Sequence, residues 1–395
     1  MQGSARKDVV FGAARVYTVA VLGTKWKSWL GHVSVLLGSL LLAIVMAESI
    51  LRIARIDYGS APLESDAILH HVHPTNYRFL VHDPHGEYGG HVVYYDHDGL
   101  TADPNGGQTA GMSRFRVAVL GDSFVEAGQV AFSDSFVGRL QARGRADTIV
   151  RNYGVASYSP IIYRLLWDHK VSSFGPTHVF VLLYSNDFAD DKRYVERALF
   201  SSFGDVRAVR GAGSMAWTKI PGGGLVIRQL RRSYLARLIR KTQLKLTWII
   251  RNWDNPKRVV GNLVEEFPEL SEATTGYVLS LASAVEQIGA DFVLMVVPSK
   301  FQLQREPAEN ETSSEVEYSD RWASWARRHS IKFIDFVEPF EAEYRAGRRP
   351  FFVIDSHFNE LGHAVVARVI AQHFPTLFSE RVLETRDFGT QRSEN

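Results

Sequence analysis

The stretch Phe115-Arg-Val-Ala-Val-Leu-Gly-Asp-Ser-Phe124 runs an apolar segment into a Gly-Asp-Ser turn, and its reading decides the fold. A short apolar run bounded by turn residues, here Arg116 to Leu120, fits a parallel strand buried on both faces. At the carboxyl end of such a strand, side chains project into the crevice where α/β sheets hold their ligands. The N-terminus of a following helix there favours developing negative charge. Ser123 stands at that point, where a serine can attack. Taken alone, Gly-Asp-Ser is also an ordinary turn or helix N-cap, so the rest of the chain must decide.

Working outward, four more strands are expected at Thr148 to Asn152, His178 to Tyr184, Phe292 to Val297 and Lys332 to Phe336, with helical periods between them. Strands alternating with helices give an α/β fold. Polar residues gather at the strand ends. In Arg151-Asn-Tyr-Gly-Val155, Gly154 would let its N–H approach a ligand closely, as an oxyanion donor or as part of a plain β-turn. In Val179-Phe-Val-Leu-Leu-Tyr-Ser-Asn-Asp187, Asn186 offers an amide to the same crevice, although Asn-Asp also closes strands as a turn. In Val353-Ile-Asp-Ser-His-Phe-Asn-Glu-Leu-Gly-His363, Asp355 and His357 stand two apart. A serine hydroxyl needs a base at neutral pH, and an imidazole oriented by a carboxylate supplies one. His363 falls within the ensuing helix, where packing or capping is its expected role.

In this order, and on these strand ends, the four stretches resemble the four sequence blocks of the SGNH/GDSL hydrolase superfamily. The resemblance implies a flavodoxin-like three-layer α/β sandwich around a parallel central sheet, expected over residues 112–380. It maps the name-giving residues onto Ser123, Gly154, Asn186 and His357, makes Asp355 the acid, leaves Asp122 to support the loop, and calls for neither cofactor nor metal. Ser123 would attack an ester carbonyl while His357 takes its proton, with the Ser123 and Gly154 N–H groups and Asn186 holding the oxyanion. Two departures stand out: Ser185 replaces a frequent glycine, and the acid precedes His357 by two positions where Asp-x-x-His is commoner. Asp-x-His resembles the hydrolase-like domains that help O-acetylate exopolysaccharides such as alginate, although those order their blocks differently. Water as acceptor gives hydrolysis and a sugar hydroxyl gives acyl transfer; the four stretches leave both open. A catalytically silent glycan-binding or assembly protein is the alternative from another class, since fold alone does not establish activity. The complete set of nucleophile, base, acid and donors weighs against it.

The whole chain sets the frame for this chemistry. At 395 residues it exceeds one compact domain, so segments beyond a catalytic core are expected. A formal net charge of +2 gives no global argument for nucleic acid. The chain has 0 cysteines, which removes disulfides, thiolate metal sites and a cysteine nucleophile. Leu30 to Ala47 carries no Asp, Glu, Lys or Arg, and Trp29 and Ile50-Leu51 extend the apolar run. Roughly twenty apolar residues cross a bilayer, so a membrane anchor is expected over 30–51, the alternatives being a buried soluble helix or a cleaved signal. Arg6, Lys7, Arg15, Lys25 and Lys27 stand upstream against Asp8, which puts segment 1–29 in the cytoplasm. Everything beyond Arg52 then faces outward from a bacterial inner membrane crossed once. That topology points to acylated carbohydrate of the envelope or an exported polysaccharide as substrate, with a membrane-bound O-acyltransferase as a partner if transfer is the reaction.

A lead-in over 52–111 carries strand-like alternation at His91-Val-Val-Tyr-Tyr95 and the histidines His70, His71, His73, His82, His85, His91 and His97 beside Asp83, Glu87, Asp96 and Asp98. Their spacing matches no zinc pattern, so contacts to substrate or to the catalytic domain are expected instead. A basic insertion is expected around 205–260, from the glycine-rich Gly211 to Gly224 into the Arg- and Lys-rich Val226 to Arg258. Such a helix presents a solvated face, or binds anionic lipid or polysaccharide. Tyr318, Trp322 and Trp325 at helical spacing are expected in the core, and 381–395 as a frayed tail.

Overall fold

The computed structural model describes residues 5–54, 63–83, 86–106, 113–211, 233–239, 270–298 and 314–379, with Thr242, Gln243, Lys300 and Leu303. His85, most of the basic stretch Val226 to Arg258 and the tail 381–395 lie outside the described residues. The chain forms two compact units. The smaller comprises Met1–Ile56 and Ser233–Leu235 and is built on helix α1, Ala5–Ile53. Its part Trp29–Ile53 is 25 residues long and contains an 18-residue stretch with a mean hydropathy of 2.2, none of it buried. At about 1.5 Å per residue this length crosses the hydrocarbon core of a bilayer, making the helix a candidate membrane span or signal anchor. Near its end Glu48 accepts from Arg52 Nε at 2.6 Å, from Ser233 Oγ at 2.8 Å and from the Leu235 N–H at 2.9 Å.

The larger unit opens with short antiparallel strands. β1 (Glu64–Ser65) pairs with β2 (His71–Val72), and β3 (Tyr77–His82), β4 (Gly89–Tyr95) and β5 (Thr101–Ala102) form a three-stranded sheet. Alternation puts Phe79, Val81, Val93 and Tyr95 in its small core. The main sheet follows: β6 (Phe115–Leu120), β7 (Thr148–Asn152) and β8 (His178–Leu183), then, after the hairpin β9 (Ala198–Phe200) and β10 (Val206–Val209), β11 (Asp291–Val296) and β12 (Lys332–Asp335). The five main strands are parallel in the order β7-β6-β8-β11-β12. This is the flavodoxin-like order 2-1-3-4-5, in which the strand order reverses beside the first strand.

Alternate residues of each strand feed two separate cores. Ala118, Leu120, Val179, Val181, Leu183, Leu294 and Val296 point to one face, where they meet α4 (Pro160–Leu166), α5 (Asp187–Val195), α6 (Glu272–Glu286) and α7 (Ser314–Arg328). Val117, Val119, Phe180, Leu182, Val293 and Met295 point to the other, against α3 (Phe136–Arg143), α8 (Val337–Arg345) and α9 (Glu360–His373). Each such Val, Leu or Phe taken from water contributes roughly 1.5–3 kcal/mol, which is why the strands read as continuous apolar runs. Tyr318, Trp322 and Trp325 pack in the first core as expected.

One local expectation changes. The helix after Ser123, α2 (Ser123–Glu126), is a single turn. Ala127 ends it by adopting the left-handed region at φ 58 and donating its N–H to Ser123 O. Val209 is buried in the first core and bridges Leu69, so the hairpin β9–β10 packs within the larger unit.

Candidate active site

The site forms at the carboxyl ends of adjacent strands. β6 delivers Gly121-Asp122-Ser123, β7 delivers Asn152 and Gly154, and β8 delivers Asn186. A sharp exit from β6 requires Gly121, because a Cβ there would sit 2.2 Å from Val125 Cγ2 and 3.1 Å from Leu182 O. Asp122 caps the turn, its Oδ1 accepting from the Phe124 N–H at 2.9 Å. Ser123 then presents its hydroxyl at the start of α2. Its own N–H has no intrahelical acceptor there, and none of the hydrogen bonds among the described residues uses it.

His357 and Asp355 arrive from the far end of the chain on a loop closed by the Phe351–Phe358 bridge and by Phe352 N–H donating to His357 O at 3.1 Å. His357 Nε2 lies 2.7 Å from Ser123 Oγ, and its Nδ1 lies 2.6 Å from Asp355 Oδ1. The same Oδ1 accepts the His357 backbone N–H at 2.8 Å. An acid two residues before the base can therefore fold back on it in a local Asx turn, which accounts for the Asp-x-His spacing. The His357 ring also packs on Phe124, centroids 4.8 Å apart.

With Asp355 ionised, Nδ1 carries the proton and Nε2 accepts from the serine hydroxyl. Burial by itself would lower the pKa of His357, but the carboxylates of Asp355, Asp122 and Glu126 outweigh it and hold the imidazole above its ordinary value. Asp355 is pushed up by burial and, more strongly, held down by His357 and Tyr88. Asp122 is raised to about 6, chiefly by burial. Asp187, buried and facing Asp122, is raised well above the usual carboxylate range. His363 Nδ1 accepts the Phe136 N–H at 3.2 Å, and full burial, with Arg139 and His357 nearby, drops its pKa to about 3. It is a neutral packing residue, as expected.

The oxyanion candidates fare unequally. Asn186 sits at the end of β8 with its Nδ2 donating to Asp190 Oδ2 at 3.0 Å. Gly154 has the close approach expected of it, since a Cβ would fall 2.4 Å from Glu126 N. Its N–H, however, already donates to Asn152 Oδ1 at 2.8 Å, while Asn152 Nδ2 donates to Val125 O at 2.7 Å. Asn152 thus closes the turn after β7 and ties it to the nucleophile turn.

Several site residues come from segments that no strand-end pattern marks. Glu126, three residues after Ser123, is buried between the lead-in and the loop after β7: Tyr95 OH donates to its Oε1 at 2.7 Å, and the Ala156 N–H donates to its Oε2 at 2.6 Å. His73 Nε2 lies 3.1 Å from that second oxygen, an electrostatic contact off the hydrogen-bond line. Burial pushes Glu126 up, but these partners, His73 foremost, hold it down at about 2. His71 Nε2 meets Ala156 O at 2.8 Å and His91 Nε2 meets Gly128 O at 3.2 Å. These lead-in histidines therefore pack around the Ser123 turn and the loop after β7. Asp96, His97 and Asp98 are a group close enough to hold a cation, but Arg151 already pairs with both aspartates. On the other side of the site, the Glu87 carboxylate accepts the Ile354 and Asp355 N–H groups at 2.7 Å each, and Tyr88 OH lies 3.4 Å from Asp355 Oδ2. The one sequence signal for these residues is an isolated charge in an apolar turn at Glu126 and the crowding of polar groups in the lead-in.

Residues 262–395 match the family model described as the SGNH hydrolase-like domain of the acetyltransferase AlgX. That segment holds Asp355 and His357; Ser123, Gly154 and Asn186 precede it. No curated protein matches the chain. Among solved structures it is similar to a catalytic mutant of Axe2, an acetylxylan esterase from Geobacillus stearothermophilus, at 14% identity over 67% of this chain and 95% of that one, with a TM-score of 0.39. LAE5, an α/β hydrolase from the metagenome of Lake Arreo, gives 16% identity over 69% and 100%, with a TM-score of 0.41. A GDSL-like lipase from Bacteroides thetaiotaomicron gives 11% over 66% and 88%, with a TM-score of 0.33. The family match, together with the 2-1-3-4-5 parallel sheet, bears out the resemblance to SGNH/GDSL hydrolases.

Proposed function

We propose that this SGNH hydrolase-like chain is a membrane-anchored serine esterase acting on acyl esters, acetyl esters above all, of an envelope or exported polysaccharide. The observation that carries the reading is the unbroken line Asp355 Oδ1, His357 Nδ1, His357 Nε2, Ser123 Oγ, at 2.6 and 2.7 Å. Ser123 Oγ attacks the ester carbonyl as His357 Nε2 takes its proton, and the imidazolium so formed is held by Asp355. The tetrahedral oxyanion is received by the Ser123 N–H and the Asn186 amide, with Gly154 as a third donor. The Gly154 N–H is engaged by Asn152 and the Asn186 amide by Asp190, so both turn from these partners to receive the charge, whereas the Ser123 N–H is open to it. Collapse expels the alcohol, protonated by His357, and leaves an acyl-serine. Water activated by the same imidazole then regenerates the hydroxyl.

A second reading follows from the family matched by residues 262–395, which is named for an acetyltransferase. In that reading a sugar hydroxyl replaces water as acceptor. The candidate span Trp29–Ile53 supports either reaction at a membrane, and the basic residues before it favour an extracytoplasmic catalytic unit.

The test is hydrolysis of 4-nitrophenyl acetate and labelling by a fluorophosphonate, with the full chain in detergent beside Ser123→Ala. Activity and labelling should both vanish in the variant. Equal behaviour of the two proteins would end the serine mechanism. Product analysis with an added oligosaccharide separates release to water from transfer to sugar.

A further inference from the structure

The loop that carries the acid of the triad has little to hold it in place. Residues 353–357 are bends, neither helix nor strand, and Val353 and Ile354 are 82% and 63% exposed, so apolar packing does not anchor them. Asp355 nevertheless must keep one carboxylate oxygen on His357 Nδ1, since an error of about 1 Å in such a site lowers the rate about a hundredfold.

What holds the loop comes from two distant segments. Glu87, in the turn between β3 and β4, places one carboxylate oxygen on the Ile354 N–H and the other on the Asp355 N–H, each at 2.7 Å. Glu87 is itself fixed, its backbone N–H donating to Asp83 Oδ2 at 3.0 Å. Its neighbour Tyr88 packs on Phe352 and directs its hydroxyl at Asp355 Oδ2. Lys300, almost fully buried beyond β11, donates to Val353 O and, at 3.4 Å, to Asp355 O. A bidentate carboxylate on two successive N–H groups is a charge-assisted clamp with a defined orientation. A second carboxylate so close to Asp355 would repel it, and the Lys300 ammonium, which faces both, offsets that repulsion.

We propose that Glu87 and Lys300 are positioning residues that clamp the 353–357 loop from its N–H and carbonyl sides, with Tyr88 orienting the free oxygen of Asp355, so that the lead-in hairpin sets the geometry of the triad. This rests on the serine-esterase reading above for its kinetic consequence, but its structural content stands on the His357–Asp355 contact alone.

The groups facing His357 are Asp355 on its own loop, Asp122 and Glu126 on the nucleophile turn, and His363 on α9. Those facing Asp355 are His357, Tyr88, Glu87 and Lys300. Of the carboxylates facing His357, Asp355 alone depends on the clamp. Release of the loop in Glu87→Ala therefore weakens the contribution that most raises the imidazole, and burial then lowers its pKa. Two measurements on the full chain in detergent test this. Histidine-labelled NMR in the Ser123→Ala background follows the His357 titration directly, and the pH profile of kcat/KM for 4-nitrophenyl acetate follows its acid limb.

Glu87→Ala should move both to lower pH, with the plateau of kcat/KM down about a hundredfold. Glu87→Gln, which keeps one acceptor oxygen, should fall between it and the wild type, and Lys300→Met should resemble Glu87→Ala. A folded Glu87→Ala protein whose His357 titrates as in the wild type overturns the proposal, whatever its plateau does. An inactive wild type whose His357 titration still moves with Glu87→Ala sinks the esterase reading and leaves the clamp standing.

Discussion

The two sides of the site are built in different ways. On the nucleophile side, Ser123, Gly154 and Asn186 each follow a buried parallel strand, and the sheet fixes their separation because neighbouring strands lie about 4.8 Å apart. On the acid side, Asp355 and His357 sit on a loop without regular structure, and the partners of that loop are Glu87, Tyr88 and Lys300. The first side is rigid by virtue of the fold. The second is anchored at its ends by buried Phe351 and Phe358, but between them Asp355 is held by polar contacts with distant segments, so it is the side that single substitutions should loosen.

The largest effect should come where the two sides meet. His357→Gln removes the base and should lower kcat for an acetyl ester by about a millionfold, as much as losing Ser123, because a triad acts as a unit. A drop of only about tenfold would mean that the 2.7 Å Nε2 to Oγ contact is not catalytic. Asp355→Asn tests the looser side and should lower kcat by about ten thousandfold. The pH dependence has a definite sign. Asp355 raises His357, and under the proposed mechanism His357 works only when neutral, so the wild-type acid limb should lie above the ordinary imidazole value. In Asp355→Asn the limb should move to lower pH as the plateau falls.

This contrast also explains what could be read from the residues alone. The strands at Thr148–Asn152 and His178–Leu183 came through within a residue because double-sided burial forces a continuous apolar run. Ser123 and His357 were legible because strand-end position and Asp-x-His spacing are local properties. The clamp of Glu87 on Asp355 N–H spans a separation of 268 residues, and no local pattern records such a pairing. The same holds for His73 and Tyr95 on Glu126. The histidines of the lead-in were visible as a group, but each one's partner depends on how the small sheet docks. The single-turn α2 escaped notice for a different reason: nothing in Phe124 to Glu126 forbids a longer helix, and the left-handed Ala127 that ends it is a tertiary demand.

On the rigid side, Asn186→Ala should lower kcat about a hundred- to a thousandfold with KM little changed, as loss of an oxyanion donor does. The comparison sharpens if the Ser123 N–H and Asn186 carry the oxyanion while the Gly154 N–H stays on Asn152. Asn152→Ala would then free the Gly154 donor but also release Val125 O, so kcat should fall less than in Asn186→Ala and thermal stability more. Equal kinetic losses in the two variants would place Gly154 among the principal donors.

The smallest effect on turnover is expected at Glu126, which touches no reacting atom, and its signature is stability against pH. In the folded chain Glu126 is held at about 2 because His73, Tyr95 and the Ala156 N–H outweigh its burial. Unfolded, a glutamate titrates near 4.3. A carboxylate with a depressed folded value contributes stability that is complete above the unfolded value and is lost as pH falls through the folded one. The Glu126 contribution should therefore be whole at pH 6 and fade between about pH 4.3 and 2, by on the order of 3 kcal/mol. Chemical denaturation of wild type and Glu126→Gln at pH 6, 4 and 3 reads this as a gap that narrows with acid. Were the gap constant across that range, Glu126 would titrate alike folded and unfolded, its burial cancelling its donors, and His73 would serve as a packing ring on Tyr95, centroids 4.0 Å apart.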